Sequence, residues 1–129
     1  MKCGSGEHFE QAYNAQAGVE TESRMIVGAR VSDQPNDKEQ LAPNVAAIPT
    51  TAVGAVGAVL ADNGFYSEGA VRAVEQPGGL TVYVALEKSS PHRTVADWEQ
   101  HAEPPPPEAG ASVGAVMAHR LQTQAGRAQ

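Results

Sequence analysis

The stretch Ala55-Val56-Gly57-Ala58-Val59-Leu60-Ala61-Asp62-Asn63-Gly64-Phe65 joins a short, nearly continuous apolar run to polar turn residues. An apolar run of this length predicts a strand that is buried on both faces in the middle of a sheet. Ser67 lies where it can cap a following helix, which we predict to reach about Glu75 before residues 77–79 (Pro-Gly-Gly) end it. The stretch therefore predicts a strand, a turn and a helix, with Asp62 at the carboxyl end of the strand.

Two strands and a helix are predicted before this unit, and one strand after it. Residues 13–19 alternate in polarity, which is typical of a half-buried strand, and residues 25–31 predict a second strand that pairs with the first as a hairpin. A helix follows near Leu41, with Pro43 in its first turn. Residues 80–86 alternate again and predict the last strand. The order β-β-α-β-α-β indicates an α/β fold.

The character of the sequence changes near residue 87. We predict one α/β domain over residues 1–87 and an irregular, proline-rich linker over residues 88–111. The four prolines at 104–107 favour a polyproline II conformation within that linker. Residues 112–129 predict a short C-terminal helix and tail, because Val113, Val116, Met117 and Leu121 recur at helical spacing.

Composition limits the kinds of site that this chain can build. Acidic residues outnumber basic ones by 15 to 9, and the net charge of -6 argues against non-specific binding of phosphates by the chain as a whole. Cys3 is the only cysteine, which excludes an intramolecular disulfide and a cysteine-rich zinc site. No apolar stretch is long enough to span a membrane, and the first ten residues lack the apolar block of a secretory signal. We therefore expect a cytoplasmic protein with no membrane partner.

Asp62 is the residue that we single out as a candidate for a functional site. Ligands collect at the carboxyl ends of strands in open α/β sheets, and a carboxylate there can bind a hard cation such as Mg²⁺. The alternative is that Asp62 only forms the turn that contains Asn63 and Gly64. The other acidic candidates favour structural roles, with Asp33 and Asp37 as helix caps and Glu20 and Glu22 in the exposed hairpin turn. The histidines at positions 8, 92, 101 and 119 show no metal-ligand spacing.

Five segments occur in an order and spacing that resemble the catalytic core of bacterial insertion-sequence transposases with a DDE active site. They are Tyr13-Asn14-Ala15-Gln16-Ala17-Gly18-Val19-Glu20, Ile26-Val27-Gly28-Ala29, Asn36-Asp37-Lys38-Glu39-Gln40-Leu41, Leu60-Ala61-Asp62-Asn63-Gly64-Phe65-Tyr66-Ser67 and Met117-Ala118-His119-Arg120-Leu121. The resemblance covers nearly the whole chain, and the combination of segments is specific.

The resemblance implies a partial RNase H-like domain that acts in DNA transposition. In that family three carboxylates hold two divalent metal ions, Mg²⁺ or Mn²⁺, which promote the cleavage and transfer of a DNA strand. Asp62 matches the second of these carboxylates, so the resemblance implies that it is both a catalytic residue and a metal ligand. The implied partner is the DNA of transposon ends.

The chain departs from the family pattern on both sides of the matched segments. The family's first catalytic Asp lies on a strand before the segment that begins at Tyr13, and none of the twelve residues before Tyr13 is Asp. The family's final Glu lies on a helix beyond the position of Gly126. We therefore expect a central fragment of the catalytic domain, truncated at both ends and inactive alone.

Two alternatives stay open at this point. Another chain, or a longer frameshifted product, would supply the two absent carboxylates and keep the protein an enzyme. A non-enzymatic role is the other alternative, in which the fragment associates with itself or inhibits an intact transposase. In a variant of that role, the prolines at 104–107 dock in the groove of a partner protein.

Overall fold

A computed structural model describes residues 13–86 and 103–127. They form a mixed α/β structure, as predicted, with four short strands in two separate two-stranded sheets. In chain order the elements are β1 (Asn14–Val19), β2 (Ile26–Ser32), α1 (Leu41–Ala46), α2 (Thr50–Val53), β3 (Ala58–Ala61), a 3₁₀ helix (Asn63–Phe65), α3 (Glu68–Glu75), β4 (Thr81–Val84), α4 (Val113–Gln122) and α5 (Gln124–Arg127). Within these two ranges, no helix is long and apolar enough to cross a membrane.

Strands β1 and β2 form the predicted antiparallel hairpin. Ala17 lies opposite Ala29, and the register shifts between Gly18 and Val19. Arg24 has a left-handed backbone conformation (φ 59°) in the connecting turn, which is uncommon for a residue with a Cβ atom. The polarity pattern therefore predicts the pairing of the two strands correctly.

The covered face of the hairpin is its polar face, the reverse of the usual arrangement in a half-buried strand. Tyr13 and Val31 are 70% and 64% exposed. Asn14 and Gln16 lie on the opposite, half-buried side of β1, where hydrogen bonds to other elements hold their side chains. The alternation is thus as predicted, but polar contacts rather than apolar burial decide which face turns inward.

Helix α1 shows where the predicted helix cap is wrong. Its N-cap residue is Gln40, whose side chain makes no capping hydrogen bond. The carboxylate of Asp37, the expected cap, binds β1 instead. Pro43 lies in the first turn, as predicted. Ile48, which follows the helix, packs closely on the hairpin. A Cβ atom placed on Gly28 would lie only 3.2 Å from the Ile48 side chain.

Strand β3 is shorter and less buried than the apolar run predicts. It begins at Ala58, because residues 50–53 form α2 and Gly54 (φ 84°) redirects the chain after that helix. Val59 and Ala61 pack against the core, whereas Leu60 is 54% exposed. The expected burial on both faces is therefore wrong, since the core covers only one face of this strand.

Helix α3 has the bounds that the local signals predict. Ser67 is its N-cap, and the hydroxyl oxygen of Ser67 accepts a hydrogen bond from the Ala70 N–H (3.1 Å). The helix ends at Glu75, just before Gly78 and Gly79, which both have positive φ angles. Strand β4 then pairs in parallel with β3. The strand, turn and helix predicted around Asp62 are therefore confirmed, and with β4 they form a βαβ unit.

The core consists of a few side chains of modest size. Its buried members are Leu41, Val71, Val74, Val82, Val84 and Met117. Met117 belongs to α4 and is only 1% exposed, so this helix contributes to the same core as α3 and β4. The low aromatic content of the sequence, 5%, is consistent with such a core.

An ion pair between Arg120 and Glu75 joins α4 to α3 and β4. Nη1 of Arg120 donates to Glu75 Oε1 (2.5 Å) and to the carbonyl oxygen of Val82. The same Oε1 accepts a hydrogen bond from the Val82 N–H (2.8 Å). The two charged side chains are only 22% and 28% exposed, so solvent screens this pair less than a surface pair.

We predict that Met117→Ala destabilises the fold by about 2–5 kcal/mol, the usual cost of truncating a buried methionine. Met25→Ala is the matched control, because it removes the same atoms from a side chain that is 63% exposed. That control should change the free energy of unfolding by less than about 0.5 kcal/mol. Urea denaturation followed by circular dichroism measures both values, and equal effects would contradict the placement of α4 in the core.

We predict that Glu75→Ala costs about 1–3 kcal/mol, because Arg120 and the Val82 N–H lose their shared acceptor. Glu68→Ala is the control. Oε2 of Glu68 lies 3.9 Å from Nη2 of Arg72, and the two side chains are 51% and 59% exposed, respectively. This surface ion pair should therefore contribute less than about 0.5 kcal/mol. Urea unfolding measures both variants. If Glu75→Ala cost no more than Glu68→Ala, the Arg120 contacts would not stabilise the fold.

Candidate functional site

Asp62 lies directly after β3, at its carboxyl end, as predicted. Its backbone is extended, and its Oδ1 accepts a hydrogen bond from the Gly64 N–H (2.8 Å). This bond makes Asp62 the N-cap of the 3₁₀ helix. The side chain is exposed. Asp62 therefore forms the turn and also presents a carboxylate to solvent at the end of a strand, so the two interpretations of this residue are compatible.

Asn63 fastens the turn to the neighbouring strand. Its Nδ2 donates to the carbonyl oxygens of Ala85 (3.1 Å) and Leu86 (2.7 Å), which follow β4. The ends of the two parallel strands are thus tied together next to Asp62. A carboxylate on such a turn has a defined position even though it is exposed to solvent.

Asp37 is the centre of a half-buried polar network beneath the hairpin. Its Oδ1 accepts hydrogen bonds from Nδ2 of Asn14 (2.5 Å) and from Nε2 of Gln16. Oε1 of Gln16 in turn accepts a hydrogen bond from Asn44 Nδ2 of α1 (2.6 Å). These bonds connect β1, the loop before α1, and α1 itself.

The network reaches the Asp62 turn at Gly64. A Cβ atom placed on Gly64 would lie 3.0 Å from Asp62 Oδ1 and 3.4 Å from Asp37 Oδ2. Two carboxylates therefore flank this glycine. The interpretation of Asp37 as a helix cap missed this contact. One signal in the sequence points to the role of Asp37. Asn14 and Gln16 place two amides on one face of a strand, and such amides require a hydrogen-bond partner when they are covered.

The carboxylates described so far do not form a centre for two metal ions. Mg²⁺ prefers six oxygen ligands and is commonly held by one or two carboxylates together with water. Asp62 offers one exposed carboxylate, and one oxygen of Asp37 is already held by two amides. No group of three or more His, Cys, Asp and Glu side chains that could hold a metal occurs in residues 13–86 and 103–127. These residues alone do not fit a two-metal centre.

The remaining acidic candidates have structural surroundings. Glu20 lies in the exposed hairpin turn, as predicted, and its carboxylate accepts hydrogen bonds from the Glu22 N–H (2.9 Å) and from the N–H and hydroxyl of Ser23 (both 2.6 Å). Asp33 is exposed and accepts a hydrogen bond from the Gln34 side chain, so it does not cap α1 either. Of the four histidines, His119 is the one among the described residues. His8, His92 and His101 lie outside them.

The prolines at 104–107 pack against the chain itself. Pro104 and Pro107 are both half-buried, whereas Pro105 and Pro106 are exposed. The carbonyl oxygen of Pro104 lies 3.1 Å from His119 Nε2 of α4. Pro104 and Pro107 are therefore partly covered by the molecule.

Comparison with known proteins adds no relative to this picture. No protein-family model, no curated protein and no solved structure matches the chain.

We predict that Gly64→Ala destabilises the protein by roughly 0.5–2 kcal/mol, the range found when a helix cap is lost. The new Cβ atom would press on Asp62 Oδ1 and on Asp37 Oδ2. Gly69→Ala in α3 is the control, because nothing lies within 4 Å of its added Cβ atom and alanine favours a helix. The control should be neutral or stabilising in urea unfolding. Equal stability of both variants would show that the turn is not tight around Gly64.

We predict that the Glu20 carboxylate stays ionised to unusually low pH. Hydrogen bonds from the Ser23 hydroxyl, and then from the Glu22 and Ser23 N–H groups, lower the pKa of Glu20 from 4.5 to about 2. Because the bonded form is the anion, its contribution to the hairpin turn is complete above pH 4.5. The contribution declines as the pH falls and is lost below about pH 2.

An NMR titration of the Glu20 carboxyl carbon tests this prediction. Ser23→Ala removes the largest cause of the shift and should raise the pKa of Glu20 toward its ordinary value. Ser32→Ala is the control, because the Ser32 hydroxyl bonds to Gln34 and not to the turn. The same Glu20 midpoint in both variants would rule out the Ser23 hydroxyl as the main cause.

Proposed function

We propose that this chain is a transposase-type protein of DNA transposition and that Asp62 is its metal-binding, catalytic carboxylate. The observation that carries the proposal is the position of Asp62, exposed at the carboxyl end of β3 within a parallel βαβ unit. Ligand sites of α/β sheets collect at such strand ends. The segment around Asp62 is also one of those that resemble the catalytic core of insertion-sequence transposases.

The fold that we propose is a partial RNase H-like domain. Two observations support it: an antiparallel hairpin comes first among the described residues, and a helix and then a parallel βαβ unit follow. The hairpin and the parallel pair are separate sheets among the described residues. In the proposed domain they are parts of one sheet.

The proposed chemistry needs more ligands than Asp62. Two divalent metal ions carry four positive charges, and one exposed carboxylate cannot hold both of them at fixed positions. Asp37 lies near Asp62, yet one of its oxygens is occupied by Asn14 and Gln16. We therefore propose that cleavage with Mg²⁺ or Mn²⁺ requires carboxylates supplied by another polypeptide or a longer product of the same gene. The 129-residue chain alone is then inactive.

The proposed partner is the DNA of transposon ends. The net charge of -6 makes a broad electrostatic grip on phosphates by this chain unfavourable. DNA binding in the proposed assembly therefore depends on residues outside this chain, and the contribution of this chain is the strand end that carries Asp62.

The DNA that flanks the reading frame, translated in all frames, provides the first test. We expect it to encode an Asp-bearing strand just upstream of the region that matches residue 13 and a Glu-bearing helix just downstream. Mass spectrometry of the protein from the same locus then shows whether a longer, frameshifted product is made. Flanks that encode neither carboxylate would contradict the proposal.

A cleavage assay with the rejoined polypeptide provides the second test. We predict that Asp62→Asn lowers Mg²⁺- or Mn²⁺-dependent cleavage of transposon-end DNA by roughly 100-fold or more, because a lost metal ligand removes several kcal/mol of transition-state stabilisation. Asp33→Asn is the matched control, since Asp33 is an exposed aspartate bonded only to its neighbour Gln34 among the described residues. Equal cleavage by the two variants would exclude Asp62 as a catalytic residue.

A further inference from the structure

We draw no further inference here: the strongest candidate, the exposed apolar face of the β1–β2 hairpin together with the free edge of β3, carries nothing because no part of the described structure shows what covers it.

Discussion

Hydrogen bonds to the Asp37 carboxylate attach the β1–β2 hairpin to the loop before α1. Asn14 and Gln16 on the inner face of β1 both donate to this carboxylate, and Asn44 of α1 completes the network. Hydrogen bonds to a charged group contribute about 1.5–3 kcal/mol each, more than bonds between neutral groups. Most of the hairpin's large apolar residues are exposed and so contribute little apolar area on this side (Tyr13, Val19, Met25, Ile26 and Val31). Hydrogen bonds therefore contribute much of the attachment of the hairpin, whereas hydrophobic burial stabilises the βαβ unit and α4.

Burial of valine and methionine side chains stabilises the βαβ unit and α4. Val82 and Val84 of β4 are fully buried, and Met117 covers them from α4. Each buried side chain of this size contributes about 1.5–3 kcal/mol, and the core has six such members among the described residues. The Arg120 and Glu75 contacts then fix the position of α4 against this small core. The turn at Asp62 is positioned because Asn63 ties it to the end of β4.

Local signals predict most of the larger elements, but not the short helix α2 or the late start of β3, and contacts between residues distant in sequence decide which faces are covered. The Ser67 cap and the Pro-Gly-Gly stop set the bounds of α3 and were read correctly. The position of Asp62 at the strand end is also predicted correctly, because it depends only on where the apolar run ends. The inner face of β1 was not predictable in this way, since it depends on Asp37, which is 21 residues from Gln16. The prediction that Asp37 is a helix cap is wrong for the same reason.

The bonding of Asp62 shows how one carboxylate can form a turn and still be exposed at the end of a strand. Its Oδ1 is engaged by the Gly64 N–H, and a cation at that oxygen would compete with the bond that forms the turn. Among the described residues no hydrogen-bond donor reaches the other oxygen. In the proposed function, that oxygen is the one that binds a cation without disturbing the turn. Asp37 adds negative charge nearby, but one of its oxygens already accepts hydrogen bonds from Asn14 and Gln16 of the hairpin. In the proposed function the turn supplies one preorganised ligand, and further carboxylates must approach the end of β3 for two metal ions to bind there.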